Sequence, residues 1–178
     1  MRKLKLQELG RVSLDEFKSQ AKTSIVIVLD NIRSGLNVGS AFRTSDAFAL
    51  EKIVLCGITA QPPHREITKT AIGATSSVDW EYEKDILTCV KNLQAEGYTV
   101  LAIEQVDESI FLQDYEIDKN QKYALVFGNE VKGVSDEIIN EVDACIEIPQ
   151  FGTKHSLNIS VSLGITIWEF AKVMKLKY

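Results

Sequence analysis

Residues 148–160 of this chain read IPQFGTKHSLNIS. The stretch follows an apolar segment, passes through a proline and a glycine into a short polar cluster, and continues into a long apolar segment. A polar loop between two buried elements is where an α/β domain holds its ligand. Two other segments, NVGSAFR at residues 37–43 and GNEVKG at residues 128–133, lie at similar predicted junctions between a strand and a helix. Three such loops in one chain predict a functional site.

Short apolar segments alternate with helical patterns along the rest of the chain. Runs rich in β-branched residues predict five buried strands, at residues 25–29, 53–56, 98–103, 123–127 and 144–148. Helices are predicted from Ser13, where a capping box begins, and at residues 39–48, 85–95, 135–142 and 156–173. This alternation predicts an α/β fold, a Rossmann-like parallel sheet that helices cover on both faces.

The composition is that of an ordinary globular protein. Of the 178 residues, 45% are hydrophobic and 25% are charged, so we expect one domain over residues 1–178. No apolar run approaches the ~20 residues that span a membrane. The N-terminus lacks a secretion segment, so a cytoplasmic location without membrane contact is expected. The three cysteines predict buried free thiols, and the two histidines form no metal-ligand pattern, so no metal is expected.

The charge is unevenly distributed. The formal net charge is −5, which argues against indiscriminate binding to nucleic acid. Residues 1–22 nevertheless carry six basic residues against three acidic ones, whereas residues 104–118 carry six acidic residues and no lysine or arginine. An acidic protein still binds a polyanion through one basic face, although two differently charged solvated surfaces explain the same pattern.

Several familiar site types are excluded. The first predicted strand is not followed by Gly-x-Gly-x-x-Gly, and the chain contains neither a Walker-type phosphate loop nor a Gly-x-Ser-x-Gly elbow. Each remaining polar residue also has a structural interpretation, such as an exposed helix residue, a turn carboxylate or a helix cap. Their shared place on strand-end loops favours a common site. These residues are Asn31, Arg33, Asn37, Arg43, Glu130, Ser156, Asn158 and Ser160.

The three segments together resemble the three motifs of the SpoU–TrmH branch of the SPOUT RNA methyltransferases. The motif segments are NVGSAFRT at residues 37–44, FGNEVKG at residues 127–133, and residues 148–161. They occur in the family's order, and the resemblance covers residues 24–173. Any one motif alone would be a weak signal, whereas three in order are specific.

The resemblance implies a fold and a cofactor that composition does not reveal. Family members tie the C-terminal part of the sheet into a deep trefoil knot, which holds a bent S-adenosylmethionine. By motif match, main-chain atoms of Ile103, Gly128, Ile148 and Leu157 would hold this cofactor. Family members are homodimers, and the arginine of the first motif acts near the cofactor of the partner.

The reaction implied by the resemblance is methylation of a ribose 2′-hydroxyl in tRNA or rRNA. Arg43 matches the catalytic position, and Asn37, Glu130, Ser156 and Asn158 would orient it and the ribose. Two roles stay open for Arg43. It either accepts the hydroxyl proton once RNA is bound, or stays charged, clamps a phosphate and lowers the hydroxyl pKa electrostatically.

The chain departs from larger relatives in its third motif and its termini. Gln150 stands where a methionine is common, and Lys154 and His155 give the loop a basic tip. With no separate RNA-binding domain expected, RNA capture would rely on the core, residues 1–22 and the loop with His64, Arg65 and Lys69. Two alternatives to the methyltransferase are a non-catalytic RNA-binding module that keeps the fold and an α/β enzyme acting on a small molecule.

Overall fold

A computed structural model describes residues 1–175, apart from the side chains of residues 6 and 7. The strands are β1 (Thr23–Asp30), β2 (Leu50–Cys56), β3 (Asp79–Glu83), β4 (Tyr98–Ile103), β5 (Ile110–Phe111), β6 (Lys122–Phe127) and β7 (Ala144–Glu147). The helices are α1 (Leu14–Ser19), α2 (Gly35–Ala47), α3 (Arg65–Ala71), α4 (Ile86–Ala95), α5 (Asp136–Ile139) and α6 (Ile159–Met174). Short 3₁₀ helices lie at Leu6–Leu9 and Ala74–Ser76.

The seven strands form one parallel sheet in the order β3-β2-β1-β6-β4-β7-β5. Successive side chains of a strand point to opposite faces of the sheet, so alternate residues pack against different layers of helices. Ile25 and Ile27 of β1 lie in one core with residues of α2, α3 and α6. Val26 and Val28 lie in the second core with residues of α4 and α5. The predicted parallel sheet, buried on both faces, is therefore confirmed.

The five predicted strands are all present, but the edges of the sheet were missed. At one edge, β3 has the sequence DWEYE and is at most half-buried. At the other edge, β5 has only two residues, both exposed. An edge strand has one unpaired side and tolerates charged residues, so β3 lacks the continuous apolar run that marks a central strand. The strand β5 is apolar but has too few residues to show a pattern.

The helix predicted at residues 39–48 begins earlier, and this corrects the placement of the first motif. The side chain of Ser34 accepts a hydrogen bond from the backbone N–H of Asn37, which caps α2 one residue before Gly35. Residues 37–43 therefore lie on a helix, and not on a loop at its start as predicted. Two glycines, Gly35 and Gly39, obscured the helical pattern because glycine is a weak helix former.

The last two predicted helices are shorter than expected. Ser135 precedes α5, but the helix ends at Ile139 and not near residue 142. The predicted helix 156–173 begins at Ile159, because Asn158 and not Ser156 is its cap: the Asn158 side chain accepts from the backbone N–H of Ser160. The helices predicted from Ser13 and at residues 85–95 are confirmed, with capping by Ser13 and Asp85.

The topology brings two polar loops and helix α2 to one edge of the sheet. The chain leaves β6 through residues 128–133, crosses β4 to reach β7, and then runs through residues 148–158 into α6, which packs against α2. Because the strands are parallel, these segments meet at the carboxyl ends of β4, β6 and β7. Within residues 1–175, no helix is long and apolar enough to cross a bilayer.

Candidate functional site

A cavity of about 730 Å³ opens at the carboxyl ends of β4, β6 and β7. Its walls come from the end of β4, the loop after β6, and the loop between β7 and α6. The four residues that the family resemblance assigns to the cofactor line it, namely Ile103, Gly128, Ile148 and Leu157. Glu130, Ser156 and Asn158 also line it.

A chain of side-chain hydrogen bonds joins the three motifs beside this cavity. The Nδ2 group of Asn37 on α2 donates to Oε1 of Glu130 at 3.1 Å. The Nδ2 group of Asn158 donates to Oδ1 of Asn37 at 3.3 Å. Asn37 therefore uses its donor on the carboxylate and its acceptor on the second amide, and it connects α2 to two loops of the C-terminal half of the chain.

Glu130 is also bound by the start of α2. Its Oε2 accepts from the backbone N–H of Arg33 at 3.1 Å, and its Oε1 accepts from that of Ser34 at 3.2 Å. Partial burial acts to raise the pKa of Glu130, but hydrogen bonds from backbone N–H groups, including that of Arg33, and from Asn37 outweigh it and lower the pKa. The carboxylate form is thus the one that the site stabilises.

The loop that carries Glu130 is fixed by its own first residues. Nδ2 of Asn129 donates to the backbone oxygen of Asn31 at 2.7 Å, and its Oδ1 accepts from the backbone N–H of Val131 at 2.9 Å. A Cβ on Gly128 would approach the backbone of Gly133 to 2.2 Å, so only glycine fits where the two ends of the loop pack together. The loop is held as a rigid turn against the end of β1.

Asn31, from the predicted polar set, supports this turn through its backbone oxygen, which accepts from Asn129. It adopts a left-handed backbone conformation with φ 54°, which asparagine tolerates better than most residues. Its side chain donates to Asp30 at 2.6 Å and accepts from the backbone N–H of Ile58 at 3.1 Å. Asn31 therefore acts as a structural residue that joins three segments.

The third motif reaches the site through the cap of α6. Oδ1 of Asn158 accepts from the backbone N–H and the hydroxyl of Ser160, at 2.9 and 2.6 Å. The same side chain thus caps the helix and points its amide at Asn37. Ser156 is exposed at the cavity wall.

Arg43 lies apart from this cluster. It is exposed on α2, and it borders a second hollow together with Leu14, Asp46 and residues 71–74, 76 and 77. Six residues of helix separate it from Asn37, which corresponds to about 9 Å along the axis and a different face. Among residues 1–175, no hydrogen bond or ion pair involves its guanidinium. The structure therefore brings Asn37, Glu130 and Asn158 together, and leaves Arg43 outside their cavity.

Sequence reasoning missed two residues of the site, Asn129 and Glu104. Glu104 follows β4 directly and lines the cavity. Its position directly after a predicted strand could have indicated a site residue. From the sequence it was instead recognised only as one of the acidic residues at 104–118. No group of His, Cys, Asp and Glu within residues 1–175 has the arrangement of a metal site.

Comparison with known proteins places this chain in a known family. The model of the SpoU rRNA Methylase family matches residues 24–168. The chain belongs to this family, and the resemblance read from its three motifs is confirmed.

Curated relatives share a low sequence identity with this chain, but over most of its length. The tRNA (guanosine(18)-2′-O)-methyltransferase of Mus musculus is 29% identical over 150 residues, which are 83% of this chain and 9% of the mouse protein. The enzyme of the same name from Borreliella burgdorferi is 26% identical over 144 residues, which are 81% of this chain and 64% of that protein. The chain thus spans less than two thirds of these relatives.

Solved structures share the fold. The A. aeolicus TrmH/SpoU tRNA modifying enzyme matches with a TM-score of 0.79 and 26% identity, over 90% of this chain and 80% of the other. An AdoMet-bound rRNA methyltransferase from Sinorhizobium meliloti matches with a TM-score of 0.78 and 27% identity, over 94% of this chain and 62% of the other.

Proposed function

We propose that this protein transfers a methyl group from S-adenosylmethionine to a ribose 2′-hydroxyl in tRNA or rRNA. The family and the names of its relatives support this reaction. The observation that carries the proposal is one cavity lined by Ile103, Gly128, Ile148 and Leu157 together with Glu130, Ser156 and Asn158. This arrangement combines a binding site for a small molecule with polar groups that orient a second substrate.

The cavity fits the cofactor in size and charge. Its volume of about 730 Å³ lies within the range of ligand pockets, and Ile103, Ile148 and Leu157 give it apolar walls. Four carboxylates but only one lysine line it, which favours a ligand with a positive sulfur. When bound, S-adenosylmethionine supplies an electrophilic methyl group on that sulfur.

The polar cluster is suited to hold a ribose. A ribose hydroxyl is a weak nucleophile at neutral pH, so its proton must be drawn away as it attacks. Glu130, Asn37 and Asn158 are connected by hydrogen bonds and held by the cap of α6 and the start of α2. Such preorganised groups, with Ser156 beside them, position the hydroxyl without further reordering.

We assign the catalytic role to Arg43 of a second copy of this chain. Arg43 does not line the cavity of its own chain, so a homodimer would have to bring it to the cavity of the partner subunit. Val161, Ile165 and Trp168 form an exposed apolar stripe on α6, and α6 packs against α2, which carries Arg43. A guanidinium keeps its positive charge near neutral pH, which favours the phosphate clamp over the base.

The remaining features of the proposal concern the chain as a whole. The path of the chain from β6 across β4 to β7, with the return of α6 to α2, supports a trefoil knot in the C-terminal half. We propose a single cytoplasmic domain that captures RNA with the basic segment 1–22 and with the exposed residues His64, Arg65 and Lys69.

Transfer of a labelled methyl group to total RNA tests this function, with the product mapped as ribose-methylated nucleotides. Arg43→Ala should reduce transfer at least a hundredfold while cofactor affinity changes less than about twofold, because Arg43 lies outside the cavity. Lys84→Ala, an exposed lysine away from the site, is the matched control. Near-normal turnover in Arg43→Ala would refute its catalytic role, and RNA binding without any transfer would favour the non-catalytic module.

A further inference from the structure

Glu104 is a cavity residue to which neither the motifs nor the polar cluster give a role. It follows β4 directly, next to Ile103, and its side chain is half-buried in the wall of the cavity. No ion pair within residues 1–175 involves its carboxylate. A partly buried carboxylate without a cation has to be stabilised by hydrogen bonds.

Two backbone donors hold this carboxylate in place. Its Oε2 accepts from the backbone N–H of Val134 at 2.9 Å, and its Oε1 accepts from that of Gln105 at 2.9 Å. A Cβ on Gly133 would lie 2.2 Å from Oε2, so the carboxylate is packed directly against the backbone of the turn. Both oxygens are therefore fixed before any ligand binds.

Each fixed oxygen keeps acceptor capacity, because an ionised carboxylate accepts about four hydrogen bonds. Two such oxygens match the two neighbouring hydroxyls of a ribose. The ribose of an adenosyl group connects the adenine to the methionine part, so it has to lie between the groups that hold those two ends. Glu104 follows Ile103 directly, is hydrogen-bonded to the turn packed on Gly128, and lines the same cavity as both of these residues.

We propose that Glu104 accepts hydrogen bonds from the 2′- and 3′-hydroxyls of the adenosyl ribose. This inference rests on the proposed function, since it requires an adenosyl ligand in the cavity. Acidic residues after a strand bind ribose hydroxyls in other parallel α/β sheets, which shows that the geometry is feasible. Glu104 would thereby select the ribonucleoside form of the ligand.

Calorimetric titration with three ligands tests this role. The ligands are S-adenosylhomocysteine, its 2′,3′-dideoxy analogue and 5′-methylthioadenosine, which keeps the ribose but lacks the amino acid. Glu104→Gln should weaken binding of the two hydroxyl-bearing ligands about tenfold, since hydrogen bonds to a charged group are strong. The same substitution should weaken binding of the dideoxy analogue less than about twofold. Glu108→Gln removes an exposed charge of the same acidic segment outside the cavity and is the matched control.

The other outcomes separate the competing explanations. Equal losses for all three ligands would overturn the proposal, because they would show that Glu104 only holds the turn at Gly133. A loss for S-adenosylhomocysteine alone would also overturn it, in favour of a contact with the ligand's ammonium group. If the unaltered protein bound no adenosyl ligand, the proposed function itself would fail. Binding that is indifferent to the hydroxyls would refute only the role of Glu104.

Discussion

At the scale of single residues, Asn37 organises the polar cluster. It lies 93 residues from Glu130 and 121 residues from Asn158 in sequence, yet it is hydrogen-bonded to both. A side-chain amide carries a donor and an acceptor at one end, so it bonds a carboxylate and an amide donor together, whereas an aspartate would lose the contact with Glu130. Asn37 thereby couples the position of the Asn158 amide to that of the Glu130 carboxylate.

The lowered pKa of Glu130 makes this cluster sensitive to acid. A carboxyl group whose pKa is lower in the folded state stabilises the protein above its unfolded pKa, and this contribution is lost as the pH falls through the folded pKa. The loss should begin near the ordinary value of 4.5 and be complete only at lower pH. In Glu130→Gln, the contribution is absent at every pH.

Denaturant unfolding of wild type and Glu130→Gln between pH 3 and pH 8 measures this effect. The difference between the two proteins should stay constant from neutral pH down to about pH 5 and disappear as the pH falls further. The exposed Glu108→Gln serves as a control for the loss of one charge. A difference that persists unchanged at the lowest pH would contradict the assigned pKa shift.

At the scale of elements, the site depends on the close packing of α2 on α3. A Cβ on Gly39 would lie 2.1 Å from Oγ1 of Thr70 and 2.4 Å from the backbone oxygen of Ile67. The hydroxyl of Thr70 also donates to the backbone oxygen of Leu36 at 3.0 Å. The glycine therefore sets the distance between the two helices and with it the position of Asn37.

Gly39→Ala should destabilise the protein by about 1–3 kcal/mol, because the added methyl group forces the helices apart. This would outweigh the higher helix propensity of alanine, which is worth about 1 kcal/mol. Ser40→Ala, on the next residue of α2, adds no volume and should stay within about 0.5 kcal/mol of wild type. Thermal unfolding of both variants is the measurement. An unchanged stability of Gly39→Ala would show that α3 moves away freely.

The same helix shows what the sequence was able to predict and what it was not. The central strands were predictable because β1 and β6 are continuous apolar runs, a pattern that burial on both faces imposes. The start of α2 was not predictable, because its cap Ser34 is followed by Gly35 and Gly39, and glycine is a weak helix former. Among site residues, the motif positions were predictable, whereas Glu104 and Asn129 bind backbone groups of distant residues, which carry no signature in the sequence.

At the scale of the whole molecule, the order of the strands determines where the polar residues of the candidate site lie. Because β6 lies between β1 and β4, the loop with Glu130 meets the start of α2, and the cavity forms beside it. The same arrangement leaves Arg43 at a second hollow further along α2. Trp168 of α6 packs edge-on against Phe48 just beyond α2, with ring centroids 6.2 Å apart, and remains 46% exposed. The apolar stripe on α6 is thus continuous with the end of α2 that carries Arg43.

A mixed dimer tests whether Arg43 completes the site of the partner subunit. Arg43→Ala and Asn158→Ala subunits, expressed together with two different affinity tags, are purified in sequence to isolate mixed dimers. If Arg43 acts across the interface, one site of each mixed dimer combines both defects and the other is intact. Methyl transfer should then recover to about half of the wild-type value, as expected for an isologous dimer. Dimers of either variant alone are the controls, and both should be inactive. If the mixed dimers are as inactive as the controls, Arg43 acts within its own subunit, and α2 would have to move to bring it into the cavity.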